Sequence, residues 1–114
     1  MTMQSPIDYE RIEDATGGDR EFLEELVDIF LTDAAERIIE LREALASGEA
    51  ESFSRTAHKL KGSSANMGAV RLTDIARDME NLGKSASLNG AEELMEPLQQ
   101  ELVRVRETLQ NMLT

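Results

Sequence analysis

The stretch REFLEELVDIFLTDAAERIIELREALASG, Arg20 to Gly48, decides the fold class. Its apolar residues Phe22, Leu23, Leu26, Val27, Phe30, Leu31, Ala34, Ile38, Leu41 and Leu45 recur mostly in steps of three and four. That spacing keeps one face of a 3.6-residue helix apolar, whereas a half-buried strand would alternate at every second residue. Asp19, after the Gly17-Gly18 turn, is placed to cap the start. Gly48 is placed to end it, because glycine tolerates the left-handed conformation of a helix stop. A long amphipathic helix over about residues 20–47 is therefore expected.

The same pattern extends in both directions. Upstream, Ile7, Ile12 and Ala15 predict a short helix over Ile7 to Ala15. Downstream, Phe53, Ala57, Leu60, Ser64 and Met67 share one side of a helix from about Ala50 to Met67, with Gly68 as the stop. Leu72, Ile75, Ala76, Met79 and Leu82 form the stripe of a fourth helix, from Val70 to the mid-eighties. SASLNG follows as a loop, with Asn89-Gly90 as its clearest turn signal. The last segment carries Leu94, Leu98, Leu102, Val105, Leu109 and Met112, with Pro97 inside it. That proline leaves two readings: a helix that begins near Pro97, or one that begins near Ala91 and kinks. Nothing reads as a strand. The expectation is an all-α protein: an antiparallel four-helix bundle with a short extra N-terminal helix capping one end, as a single domain over residues 1–114.

Composition agrees with this. Aromatic residues make up only 4% of the 114 residues, and there is no Trp. Leu, Ile, Val, Ala and Met must fill the core, which suits helices better than a sheet sandwich. The absence of Cys excludes a disulfide scaffold, thiol redox chemistry and any cysteine metal site. No apolar run approaches the length of a membrane span. The opening MTMQSPIDYERIEDA lacks the apolar stretch of a secretory signal, so a cytoplasmic location is expected. A net charge of −11 argues against nucleic acid and anionic membranes as partners.

One window departs from the acidic background. AHKLKGSSANMGA, Ala57 to Ala69, holds the only histidine, His58. With Phe53 at zero, the core stripe of this helix stays within about 40°, while His58 falls near roughly 140° and Gly62 near roughly 180°. His58 therefore points away from the core, with Ser54, Arg55, Lys61 and Gly62 as neighbours at helical spacing. A mid-helix glycine costs about 1 kcal/mol relative to alanine. Gly62 either clears space for another surface to reach the imidazole or admits a neighbouring helix. No Asp or Glu occurs between Glu51 and Asp74, a gap of 22 residues. At the chain's average acidity about four would be expected there. The gap holds Arg55, Lys59, Lys61 and Arg71. Such a basic patch suits an anionic group or an acidic partner, and on charge alone it fits a solvated helix face equally well.

A lone imidazole lacks the companions needed to hold a metal, and no Ser or Cys nucleophile stands in a triad setting. Imidazole is itself a nucleophile near neutral pH and can form a covalent intermediate. A phosphoryl group on its nitrogen would have Lys61 one turn away to offset charge. The chain has no glycine-rich GxxxxGK[ST] loop. The chain is therefore not expected to draw phosphate from ATP by an ATP site of its own, and a phosphoryl donor must come from elsewhere.

These residues resemble the phosphorylation motif of histidine-containing phosphotransfer (HPt) domains. Those domains show a histidine, a hydrophobic residue two positions on, Lys-Gly-Ser-Ser or similar, and a later Gly-Ala. GGDREFLEELVDIF is similar to the family's second-helix entry, and MEN at Met79 to Asn81 falls where the family often has a hydrophobic residue followed by Glu. The resemblance covers nearly the whole chain. It implies a four-helix bundle in which His58 takes a phosphoryl group from a receiver-domain aspartyl phosphate and passes it to another receiver's aspartate. It further implies that Lys61 stabilises the phosphoryl oxygens and that Gly62 lets the receiver approach. Arg55 and Lys59 would steer docking, with Ser54 and Ala65 on the docking face; Ser63 and Ser64 would be packing residues. Glu80 would orient the imidazole through a hydrogen bond. No cofactor is expected on this chain, the Mg²⁺ belonging to the receiver's acidic pocket. The implied partners are response-regulator receiver domains and a hybrid sensor histidine kinase, with the chain itself a monomer in a two-component phosphorelay. Two alternatives stand beside this: a helical adaptor that binds receivers without chemistry, and the phosphate-accepting module of a larger histidine kinase.

Overall fold

The computed structural model describes residues 5–114. Residues 1–4, which open both the expected 1–114 domain and the stretch read as lacking a signal, lie outside the described residues. Five helices follow one another: α1 (Tyr9–Thr16), α2 (Arg20–Ser47), α3 (Ala50–Asn66), α4 (Val70–Lys84) and α5 (Ala91–Met112). No strand occurs among the described residues.

Local chemistry sets these boundaries. The Asp8 carboxylate accepts from the backbone N–H groups of Glu10 and Arg11 at the start of α1, and Asp19 accepts from that of Phe22 at the start of α2. Each thereby satisfies helix-start donors that have no partner within the helix. Gly48 ends α2 in the left-handed conformation, with φ 70°. α5 runs unbroken from Ala91 through Pro97, which resolves the two readings in favour of the earlier start. Pro97 cannot donate to the Glu93 carbonyl. Glu93 is an exposed residue, where water can take the missing donor's place.

Sequential neighbours pack on one another, and α5 returns to α2, closing a four-helix bundle. α3 and α4 form the most extensive pair. Val27, Phe30, Ala34 and Leu41 of α2, Phe53, Ala57 and Leu60 of α3, Leu72, Ala76 and Met79 of α4, and Leu98, Val105 and Leu109 of α5 are all buried. The expected stripes are thus largely the core, with three departures. Phe22 is about two-fifths exposed, at 41%, and full burial along α2 begins at Val27. Ala15 is exposed because the inward face of α1 continues from Ile12 to Thr16, four residues on. The stripe of α5 includes a charged residue, Glu101, buried between Leu98 and Val105 and held by Arg104 at 2.7 Å.

The N-terminal segment closes the end of the bundle at the α3–α4 turn. Ile7 and Ile12 are buried there, and the Asp8 N–H donates to the Gly68 carbonyl at 2.7 Å. Gly68 has φ 69°, and a Cβ at that position would stand 2.8 Å from the Asp8 carbonyl oxygen. Only glycine meets both demands.

Candidate functional site

α3 buries Phe53, Ala57, Leu60 and Ser64, with Met67 just past its end, as the angular pattern requires, and turns His58 outward. The imidazole side chain is 65% exposed. Opposite it, α4 supplies Glu80, which is only 4% exposed. His58 Nδ1 lies 2.8 Å from Glu80 Oε2. Lys61 Nζ donates to Glu80 Oε1 at 2.6 Å, and Lys84 Nζ stands 3.3 Å from Oε2. One buried carboxylate therefore gathers the histidine and two lysines.

The approach of α3 to α4 makes this reach possible. Ser54, one turn before His58, donates its hydroxyl to the Glu80 carbonyl oxygen at 3.0 Å. Gly83, one turn after Glu80, faces it. A Cβ on Gly83 would lie 2.7 Å from Ser54 Cβ and 2.9 Å from the Ala50 carbonyl oxygen. No side chain fits there unless the helices separate. Gly83→Val is accordingly expected to destabilise the bundle by about 1–3 kcal/mol in urea denaturation, and to loosen the Glu80–His58 contact. A wild-type midpoint for this variant would show that the two helices have room to spare.

Glu80 is lowered from 4.5 to about 2. The hydrogen bond from Lys61 is the main cause. Burial opposes it, and the hydrogen bonds of His58 and Lys84 add to the lowering. An ionised carboxylate can only accept hydrogen bonds. The proton between the two residues therefore sits on Nδ1, an arrangement that in the neutral imidazole leaves the lone pair on Nε2. Sequence, packing and charge together fix one tautomer of an exposed imidazole.

Gly62 is exposed, and a Cβ built on it meets nothing within 4 Å. Close packing of a neighbouring helix is thus not the reason for a glycine here. Lys59 and Arg55 are exposed, Arg55 pairing with Glu51 at 3.1 Å and Lys59 lying in a cleft toward Glu40 and Glu43 of α2. Ala65 is exposed two turns along α3, beside Asp8, Arg11 and Gly68. Ser64 is fully buried and Ser63 donates to the Leu60 carbonyl.

Two expectations need correction. Ser54 is not part of an exposed docking face: it is 8% exposed, because α4 covers that flank of α3, and its hydroxyl is bonded to α4. Arg71 does not join the basic patch at His58, since it reaches toward Glu101 of α5 at 3.6 Å. Two contributors escaped the sequence reading. Lys84 stands four residues after Glu80, a spacing that signals a helical ion pair. Gly83 is a second glycine inside a helical pattern, which signals a close approach.

The site is thus one exposed imidazole on a small helical bundle, with one nitrogen bonded to a buried carboxylate. The family model of the Hpt domain matches residues 25–112. The crystal structure of histidine-containing phosphotransfer protein B (HptB) from Pseudomonas aeruginosa PAO1 is similar with a TM-score of 0.90 and 29% sequence identity, over 96% of this chain and 96% of that one. No curated protein matches the sequence significantly. The chain belongs to the Hpt domain family.

Proposed function

We propose that His58 is the phosphoryl acceptor of a multistep phosphorelay, taking the group from one receiver aspartate and giving it to another. The observation that carries this is the Glu80 carboxylate on Nδ1, which leaves Nε2 as the only free nucleophile of the exposed ring. In the forward step the Nε2 lone pair forms a bond to phosphorus as the acyl phosphate P–O bond breaks in line. The receiver carboxylate departs with that electron pair. In the onward step a second carboxylate attacks phosphorus and the N–P electron pair returns to Nε2. Nδ1 keeps its proton throughout, so a neutral imidazole leaves rather than an imidazolate. Positioning and charge compensation supply most of the catalysis in such transfers.

In this reading Glu80 is a positioning residue. Lys61 contributes positive charge and holds Glu80, and Gly62 leaves the approach open. Arg55 and Lys59 supply cations to an acidic partner surface. The chain acts as a carrier without an ATP site of its own, as a cytoplasmic monomer. No described helix is long and apolar enough to cross a membrane. The magnesium ion belongs to the receiver. On this chain Glu80 already contacts three nitrogen donors. A docking-only adaptor leaves the ionised Glu80 under an exposed imidazole without a task.

The test is to incubate the chain with a receiver carrying labelled phosphate and to map the product. Label that is acid-labile, stable in base and confined to the peptide containing His58 is the expected result. Label elsewhere, or none with every receiver of the source organism, would end the proposal.

A further inference from the structure

We propose that Lys84 is the cation that engages the phosphoryl oxygens once His58 is loaded, while Lys61 stays on Glu80. This rests on the reading of His58 as the acceptor. Three donors compete for two carboxylate oxygens, and they are not equivalent. Lys61 has Oε1 to itself at 2.6 Å, with its side chain 28% exposed. His58 and Lys84 share Oε2, and Lys84 makes the longest of the three contacts, 3.3 Å, from a side chain that is 64% exposed.

The cost of leaving Glu80 therefore differs between the lysines. The Lys84 ammonium reaches water, and Oε2 keeps the His58 contact when it leaves, so its departure costs less than that of Lys61. Withdrawing Lys61 would strip a buried carboxylate of its nearest cation, which is strongly unfavourable. Lys61 is also the main reason that Glu80 stays ionised.

Location points the same way. Lys84 and His58 line one cavity of about 420 Å³ between α3 and α4, together with Ser54, Arg55, Glu80 and Gly83. Lys61 is not among its walls. The Lys84 ammonium can move along this cavity from Oε2 toward a group on the ring without crossing the protein. A phosphoryl group brings roughly two negative charges and strong acceptor oxygens to that ring. Arg55, the other cation of the cavity, pairs with Glu51 on the outer surface of α3, whereas Lys84 already contacts the carboxylate oxygen that holds the ring. The structure thus separates two tasks: Lys61 maintains the carboxylate that fixes the tautomer, and Lys84 answers the incoming charge.

Phosphoramidate isolates the chemistry from partner docking. The Nε2 lone pair forms the N–P bond, the P–N bond to ammonia breaks, and Nδ1 retains its proton. Lys84→Met is expected to load about tenfold more slowly than wild type, the loss of one charge-assisted hydrogen bond to the phosphoryl group. Lys84→Arg should recover most of the rate. The ³¹P resonance of the phosphohistidine should move in Lys84→Met, while the ¹⁵N signature of the unloaded His58 tautomer stays as in wild type. Lys61→Met should instead disturb that ¹⁵N signature. Wild-type loading and an unchanged ³¹P resonance in Lys84→Met would overturn the proposal. So would a defect seen only with a phosphorylated receiver, since Lys84 would then act in docking. Absence of phosphohistidine at position 58 in the wild-type chain would instead overturn the underlying reading of His58.

Discussion

Glu80→Gln is expected to remain a folded bundle and to transfer phosphoryl groups about 10- to 100-fold more slowly, by analogy with the loss seen when the partner that orients a metal-bound histidine is removed. Glutamine keeps the shape of the side chain and removes its charge. Its carbonyl can still accept from Nδ1, but its amide NH₂ then faces Lys61, which is already a donor. Nothing compels the ring to keep its proton on Nδ1. When the proton moves to Nε2, the nucleophilic lone pair points into the protein instead of toward a partner. ¹⁵N NMR of His58 should show a single tautomer in the wild type and a mixture in Glu80→Gln. The same residue has a signature in acid. Its carboxyl is at 4.5 unfolded and about 2 folded, so between those values the unfolded chain binds more protons. The stabilisation is complete above pH 4.5 and is lost as pH falls through about 2. Its size is about 3 kcal/mol by linkage. Other carboxylates titrate in the same window, so the measurement is the difference in unfolding free energy between wild type and Glu80→Gln. That difference should shrink by about 3 kcal/mol over the window. A variant with a wild-type transfer rate and a single tautomer would remove Glu80 from the mechanism.

The helices were legible because each is amphipathic on its own. The step pattern of α2 and the angular position of His58 on α3 depend only on helical geometry, and the structure reproduces both. What depends on the neighbour was not legible from helical geometry, and the Glu80–His58 contact was anticipated only through the family resemblance. A helical wheel places Ser54 off the core stripe, on one flank. It cannot say that α4 covers that flank and leaves the Gly62 side open. The acid-free window is a linear measure, and a bundle mixes charges across its helices. It returned Glu80 to the histidine from α4 and drew Arg71 away to Glu101. Of the window's four cations only Lys61 joins the network around the buried Glu80, together with His58 and Lys84. Lys84 was readable as the i,i+4 partner of Glu80, but its importance emerges only when Glu80 is seen beneath His58. Pro97 remained ambiguous because a proline's cost depends on whether the carbonyl it leaves unpaired can reach water. The exposure of Glu93 answers that.

Gly62→Gln is expected to slow transfer from a phosphorylated receiver by at least about tenfold, since small misplacements of the reacting groups are costly. Loading by phosphoramidate should proceed as in wild type. A side chain at this position rises one turn beyond His58 on the exposed face, where a receiver must seat its aspartyl phosphate over Nε2. Phosphoramidate is small enough to pass. Gly62→Ala provides the sharper contrast. The position is helical, and a Cβ there meets nothing within 4 Å. Alanine should therefore raise stability by up to about 1 kcal/mol through helix propensity, while its methyl group lowers the receiver-dependent rate. Stability and transfer should move in opposite directions. A glycine retained for internal packing behaves the other way, as at Gly83, where an added Cβ would strike Ser54 and Ala50. Equal transfer rates for wild type and Gly62→Gln would mean that no partner surface closes over this turn. An opposite response of rate and stability at Gly62 means instead that the cost of a mid-helix glycine is sustained for the complex with the receiver, not for the bundle itself.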